Sequence, residues 1–156
     1  MSFESDLKSF RDKLDKALDE LVSPKVLKEI GQFEADLIKR RSRLGSGVPK
    51  DGGAKVKFTE LAPSTVVSRR KKKLASETTP KKSNLTESGQ LLNDLVSKIE
   101  GRSTVIGHTK DRNKRIGAFH QTGGPKLPQR RYLGLAKEDI KQITAIMQDK
   151  FTDILN

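Results

Sequence analysis

His108 and His120 are the only two histidines in the chain, and cysteine is absent altogether. With no thiol there is no disulfide framework, no thiolate nucleophile and no cysteine-ligated metal. The two imidazoles lie twelve positions apart, a spacing that matches none of the common zinc arrangements. A phosphate-binding loop is the next chemistry to test, in the stretch from Gly47 through Pro49 and Lys50 to Gly52 and Gly53. That motif needs Lys and then Ser or Thr directly after its second glycine, and here Gly53 and Ala54 follow. A turn or linker is the better reading. His120 with a serine or a carboxylate would be the raw material of a hydrolase triad, but no Gly-x-Ser-x-Gly elbow is present, the nearest approach being Ser46 between Gly45 and Gly47. No residue is therefore assigned a catalytic, metal-binding or cofactor-binding role, and an enzyme is not expected.

The remaining chemistry is charge. The chain of 156 residues carries 32 Lys and Arg against 20 Asp and Glu, a formal net charge of +12. The excess is uneven: residues 1–38 hold six basic and nine acidic side chains (−3), residues 39–131 hold 23 and seven (+16), and residues 132–156 hold three and four (−1). A basic middle between acidic ends suits a polyanion, or the acidic end of a neighbouring copy. Its densest run is Arg69, Arg70, Lys71, Lys72 and Lys73, a candidate contact to polyanion or to a second subunit, or simply a solvated cluster. Aromatic residues are 4% of the chain, too few for base stacking, so any DNA binding would be backbone-directed and salt-sensitive.

Periodicity supplies the elements that must position these groups. Phe3, Leu7, Phe10, Leu14, Ala17 and Leu21 fall on one stripe of a helix over residues 3–22, expected to pack on its own domain. Ser23 and Pro24 read as the N-cap and first position of a second helix, which Gly45 ends. Residues 45–85, rich in Gly, Pro, Ser and Lys, lack clear periodicity and are expected to form an extended basic arm, ordered by a partner, with room for a short helix over residues 63–74. Leu91 to Ile99 suits a short helix or the start of a strand, residues 103–107 a strand, Gly123, Gly124 and Pro125 a turn, and residues 135–155 a closing amphipathic helix with Glu138 and Asp139 in its first turn. The fold class is α+β: N-terminal helices over residues 1–44, the arm over 45–85, and over 86–156 a small antiparallel sheet with the C-terminal helix, one domain overall. The longest uncharged run, residues 116–125, has ten members, half of what a spanning helix requires, so no membrane partner and no secretory leader is expected.

Taken as one string, the second half has a further property. NLTESGQLLNDL, STVIGHT and IGAFHQTGGPKLPQRRYLGLAKEDI follow in an order that resembles the virion-morphogenesis and tail-completion (neck) proteins of tailed bacteriophages. The matching positions are Thr86, Gly89, Leu91, Gly107, His120, Gln121, Gly123, Gly124, Pro128, Arg130, Leu133, Gly134, Leu135 and Asp139. The sequence departs at Arg131, where proline is common, at Tyr132, where phenylalanine is usual, and at Ala136, where the family has an N-capping serine. Residues 41–48 and 78–86 also resemble the arm of a subset of the family, so the likeness covers residues 37–156 and leaves out only the first helix.

The resemblance implies a structural virion protein at the head–tail junction, assembled in the bacterial cytoplasm. Its copies would form a homo-oligomeric ring, hexameric or dodecameric, around the DNA channel. Its partners would be itself, the portal-side connector or head-closure protein, and the tail terminator or tail tube. The alternative is a DNA-binding protein without sequence specificity that uses the basic arm. Within the family-like segment the two glycines permit a turn of positive φ, Pro128 holds an extended approach, and Tyr132, Leu133 and Leu135 anchor the chain, the two leucines against the sheet. His120 is expected to hold the turn by a hydrogen bond rather than to move protons.

Overall fold

The computed structural model describes residues 3–76, 78–125 and 127–155, with side chains from residue 7 onward. Ten elements follow in order: α1 (Phe3–Leu21), α2 (Pro24–Arg43), β1 (Ser46–Gly47), β2 (Val56–Lys57), α3 (Pro63–Arg70), α4 (Gln90–Asn93), β3 (Leu95–Glu100), β4 (Ser103–His108), α5 (Asp111–Thr122) and α6 (Lys137–Leu155). The fold is α+β, with helices around two antiparallel two-stranded sheets, β1 with β2 and β3 with β4. In the second sheet Leu95 faces His108 and Glu100 faces Ser103 across the turn at Gly101.

α2 is the axis of the molecule because its two faces are both apolar. Its start is fixed by Ser23, whose Oγ accepts from the Val26 N–H at 3.4 Å, with Pro24 in the first turn. Along one side Val26, Ile30 and Leu37 pack with Ile143 of α6, with Phe33 and Leu135 at the margin. On the other, Ile38 joins Phe58, Leu85, Leu91, Leu92, Leu95 and Tyr132, with Ile106, Ile116 and Leu133 against them. A truncation to alanine at a fully buried member such as Leu92 costs about 2–5 kcal/mol.

Three expectations are revised. Residues 45–85 lie on the core within a single chain: β1 and β2 pair, α3 forms, and Val48, Phe58 and Leu85 are buried. The apolar residues of this segment are few, but Val48 and Phe58 flank the short β pairing and so act together, which composition averages away. The apolar stripe of α1 is buried only toward its C-terminal end. Ala17 is fully buried and Leu14 and Leu21 half so, whereas Leu7 and Phe10 are 51% and 62% exposed; the side chain of Phe3 lies outside the described residues. Finally, residues 111–122 form a helix, α5, that periodicity does not announce, because Asn113 and Gly117 are its buried residues. His120 and Gln121 therefore sit in the last turn of a helix, and the turn itself begins at Gly123.

Candidate assembly site

The segment that follows α5 is held by its backbone and by one amide side chain. Gly123 caps the helix at φ 73°, a conformation that disfavours a β-carbon, and its N–H donates to the Phe119 carbonyl at 2.8 Å. Gly124 and Leu127 then exchange backbone hydrogen bonds of 2.8 and 3.1 Å across the turn. Returning, the chain is pinned by Gln121. Its Oε1 accepts from the N–H groups of Tyr132 (2.8 Å) and Leu133 (3.1 Å), and its Nε2 donates to the Leu133 carbonyl at 3.1 Å. The Arg130 N–H reaches the His120 carbonyl at 2.7 Å, and Gln129 Nε2 reaches the Gln121 carbonyl at 2.7 Å.

His120 thus holds the turn through its backbone, and the expected side-chain bond is replaced by that of its neighbour. Its Nδ1 is buried without a hydrogen-bond partner among the described residues. Burial, assisted by the Arg130 charge, pushes the imidazole down to about 4, so the ring is neutral at physiological pH.

Tyr132 is the anchor. It is fully buried, and its hydroxyl lies 2.5 Å from His108 Nε2. Burial pushes the phenol pKa up and, against the pull of Asp94, the His108 pKa down. Asp94 is 3.9 Å from His108 Nδ1, outside hydrogen-bond reach, and instead accepts from Asn113 Nδ2 and the Lys110 N–H at 3.0 Å, fixing the start of α5. Aspartate, imidazole and hydroxyl are therefore adjacent but enclosed: the carboxylate holds the start of α5, and the imidazole holds the returning segment at Tyr132 to β4. Leu133 and Leu135 are half-buried and divide between the two clusters, Leu133 on the sheet side and Leu135 beside Ile143.

Arg41 closes the segment from the other side. It is 3% exposed, donates to the Tyr132 and Gly134 carbonyls at 2.8 Å each, and pairs with the buried carboxylate of Asp139. Asp139 Oδ2 also accepts from the Ala136 N–H at 2.9 Å, the return half of a capping box whose other half Ala136, with no side-chain acceptor, does not make. Sequence reading placed Asp139 at a helix dipole and gave Arg41 no partner, since no periodic pattern links residues so far apart.

The basic run is divided by the fold. Arg69 is buried, its Nε 3.2 Å from Glu87 and its Nη1 2.9 Å from the Lys82 carbonyl; Lys72 meets Glu87 at 2.8 Å. Arg70, Lys71 and Lys73 are exposed. Arg69 also joins His120, Pro128 and Arg130 around a single cavity of about 350 Å³ between α3 and α5. The sequence offered these as two separate candidates, and the structure makes them one wall, with Arg112 and Glu87 added. Among the described residues no group of three His, Asp or Glu side chains could hold a metal ion, and no helix is long and apolar enough to cross a membrane.

Residues 59–152 match the phage virion morphogenesis family, and the chain belongs to that family. It is thus a bacteriophage virion component with a structural role in virion assembly. No curated protein and no solved structure gives a match.

Proposed function

We propose, from membership in the phage virion morphogenesis family, that the chain is a non-enzymatic neck or tail-completion subunit. Its copies form a ring that joins the head connector to the tail around the DNA channel. The observation that carries the reading is the match over residues 59–152. The segment over residues 120–135 is rigidly held from three sides, by Gln121, Tyr132 and Arg41, yet its outer edge at Pro128 and Gln129 remains exposed. A rigid platform with an exposed rim suits a subunit that must dock the same way in every copy. The test is a phage lacking the gene, which should accumulate filled heads and complete tails unjoined, with the labelled protein supplied in trans found at the junction. Joined particles without the protein, or label elsewhere in the virion, would overturn the reading.

A second reading, DNA binding without sequence specificity, is favoured by Arg70, the last residue of α3, and Lys71 and Lys73 just beyond it, all exposed. Duplex binding by the isolated chain at physiological salt, weakening steeply as salt rises, would favour it.

A further inference from the structure

The cavity between α3 and α5 is basic, and the charge at its most enclosed point has no anion. Arg69, Arg112 and Arg130 line it against one carboxylate, Glu87, a net of +2. Glu87 is shared between Arg69 and Lys72, which leaves nothing for the other two arginines. Arg112 is exposed and reaches the side-chain oxygen of Gln90 at 3.1 Å. Arg130 is 5% exposed and meets no carboxylate among the described residues. Its Nε donates to Ser83 Oγ at 3.4 Å, its Nη2 to the Thr59 carbonyl at 3.3 Å, and its Nη1 to no described residue. His120 stands in the same wall, and neither of its ring nitrogens is hydrogen-bonded to a described residue. A buried guanidinium without an anion is costly, and a carboxylate accepting from Nη1 would remove that cost. A neutral imidazole has one further N–H to offer the same anion.

Three features select the occupant. Leu85, Leu91 and Ile116 make part of the lining apolar, and a volume of about 350 Å³ holds an anion together with an apolar companion. The depth of Arg130 excludes the phosphates of a duplex, which meet side chains at a surface and would find the exposed Arg70, Lys71 and Lys73 instead. The third feature is access. Pro128 lines the cavity and also belongs to the exposed rim at Pro128 and Gln129, so a protein seated on that rim lies beside the cavity. A net charge of +12 makes an acidic protein of different sequence a better source of the carboxylate than a second copy of this chain.

We infer that the cavity between α3 and α5 is a socket for an acidic segment of another virion protein, in which a Glu or Asp side chain pairs with Arg130 and an apolar neighbour covers Leu91 and Ile116. The inference rests on the neck reading above and deepens it, because it names the contact by which the rim recognises a different component.

Two measurements test it. On the free chain, hexanoate serves as a carboxylate on an apolar stem. It should move the NMR signals of the Arg130 Nε–H and of the Leu91 and Ile116 methyl groups, while acetate, pentanol and inorganic phosphate should bind at least about tenfold more weakly. Arg130→Gln should abolish the response with thermal unfolding close to that of the wild type. Absence of a hexanoate response, or phosphate binding as tightly as hexanoate, would overturn the socket. In assembled particles, a photoreactive amino acid at position 65, in the cavity wall, should crosslink to an acidic segment of a different virion protein. Changing the carboxylate of that segment to its amide should lower the yield of joined particles about tenfold, with no further loss when Arg130→Gln is added. Crosslinks to a second copy of this chain, to DNA or to nothing outside the chain would also overturn the socket. Label elsewhere in the virion, with the acidic crosslink retained, would overturn the neck reading and leave the socket standing.

Discussion

Among the described residues three arginines are taken out of water, Arg41, Arg69 and Arg130, and the first and the last are treated in opposite ways. Arg41 meets a buried carboxylate through Nη1 and two backbone carbonyls through Nη2, and its Nε alone is buried without a partner among the described residues. Arg130, as deeply buried, has two long bonds to neutral oxygens. A compensated buried charge is a lock, whereas an uncompensated one is a cost the fold sustains for something outside the single chain. The first defines where the structure is rigid and the second where it is unfinished.

Substitution should separate the two by a wide margin. Arg41→Gln leaves Asp139 buried with only Lys55, 3.4 Å away, as a cation, and the loss expected is about 3–5 kcal/mol. Arg130→Gln removes an unpaired desolvated charge and should change stability by less than about 1 kcal/mol. Denaturant unfolding of both variants checks this. Comparable losses would mean that Arg130 has a structural role equal to that of Arg41, and the cavity would then be part of the lock.

The next effect tests how tightly the rigid side is packed. A β-carbon on Gly117 would clash with the Tyr132 hydroxyl and lie 3.0 Å from the His108 ring. Gly117→Ala should cost about 1–3 kcal/mol through overpacking. Tyr132→Phe alone forfeits the bond to His108, about 1 kcal/mol, but makes room. The double variant should therefore be more stable than the sum of the two losses predicts, a coupling that thermal or urea unfolding resolves. Strict additivity would place the clash elsewhere.

Gln121→Ala comes third. It leaves the N–H groups of Tyr132 and Leu133 and the Leu133 carbonyl without their side-chain partner and should cost about 1–3 kcal/mol. Gln121→Glu keeps the acceptor for both N–H groups and should lose less. By contrast Gly124→Val is expected to be mild, since nothing lies within 4 Å of the position its β-carbon would occupy and its φ is not positive.

How much of this was legible in the sequence depends on how local the cause is. The second helix could be placed from Ser23, Pro24 and Gly45, and the strand after Gly101 from Thr104, Val105 and Ile106, because caps and β-branched runs are written within a few residues, whereas Leu91 to Ile99 stayed open between helix and strand. α5 could not, since its buried face is made of Asn113 and Gly117 rather than a hydrophobic stripe. The wall formed by Arg69, His120 and Arg130 was out of reach for a different reason. Its members were each singled out, but what assembles them is the folding of residues 45–85 onto the core, a long-range event that rests on Val48 and Phe58.

The smallest effect lies in the unfinished region and concerns pH. The unfolded chain protonates His120 near 6.5, while the native chain resists until about 4, because burial and the Arg130 charge oppose the imidazolium. As pH falls through that window the unfolded state alone takes up the proton, so stability declines from about 6.5 toward 4. It is constant above the window, and below it both states are protonated and no more is lost. His108 is lowered in the same direction, chiefly by burial, so the wild-type slope contains both rings. His120→Gln removes one of them. At pH 7.5 it should alter stability by less than about 1 kcal/mol, since the side chain donates no hydrogen bond through Nδ1 to be lost. At pH 5 the variant should have lost less than the wild type. Urea midpoints at the two pH values give the comparison directly, and parallel declines in both proteins would assign the entire slope to His108. Complementation adds the functional half: Leu133→Ala should impair particle yield through stability, whereas His120→Gln should not. If His120→Gln abolished assembly while its melting curve stayed unchanged, the histidine would have to be a contact residue in its own right, a second unsatisfied group in the wall beside Arg130.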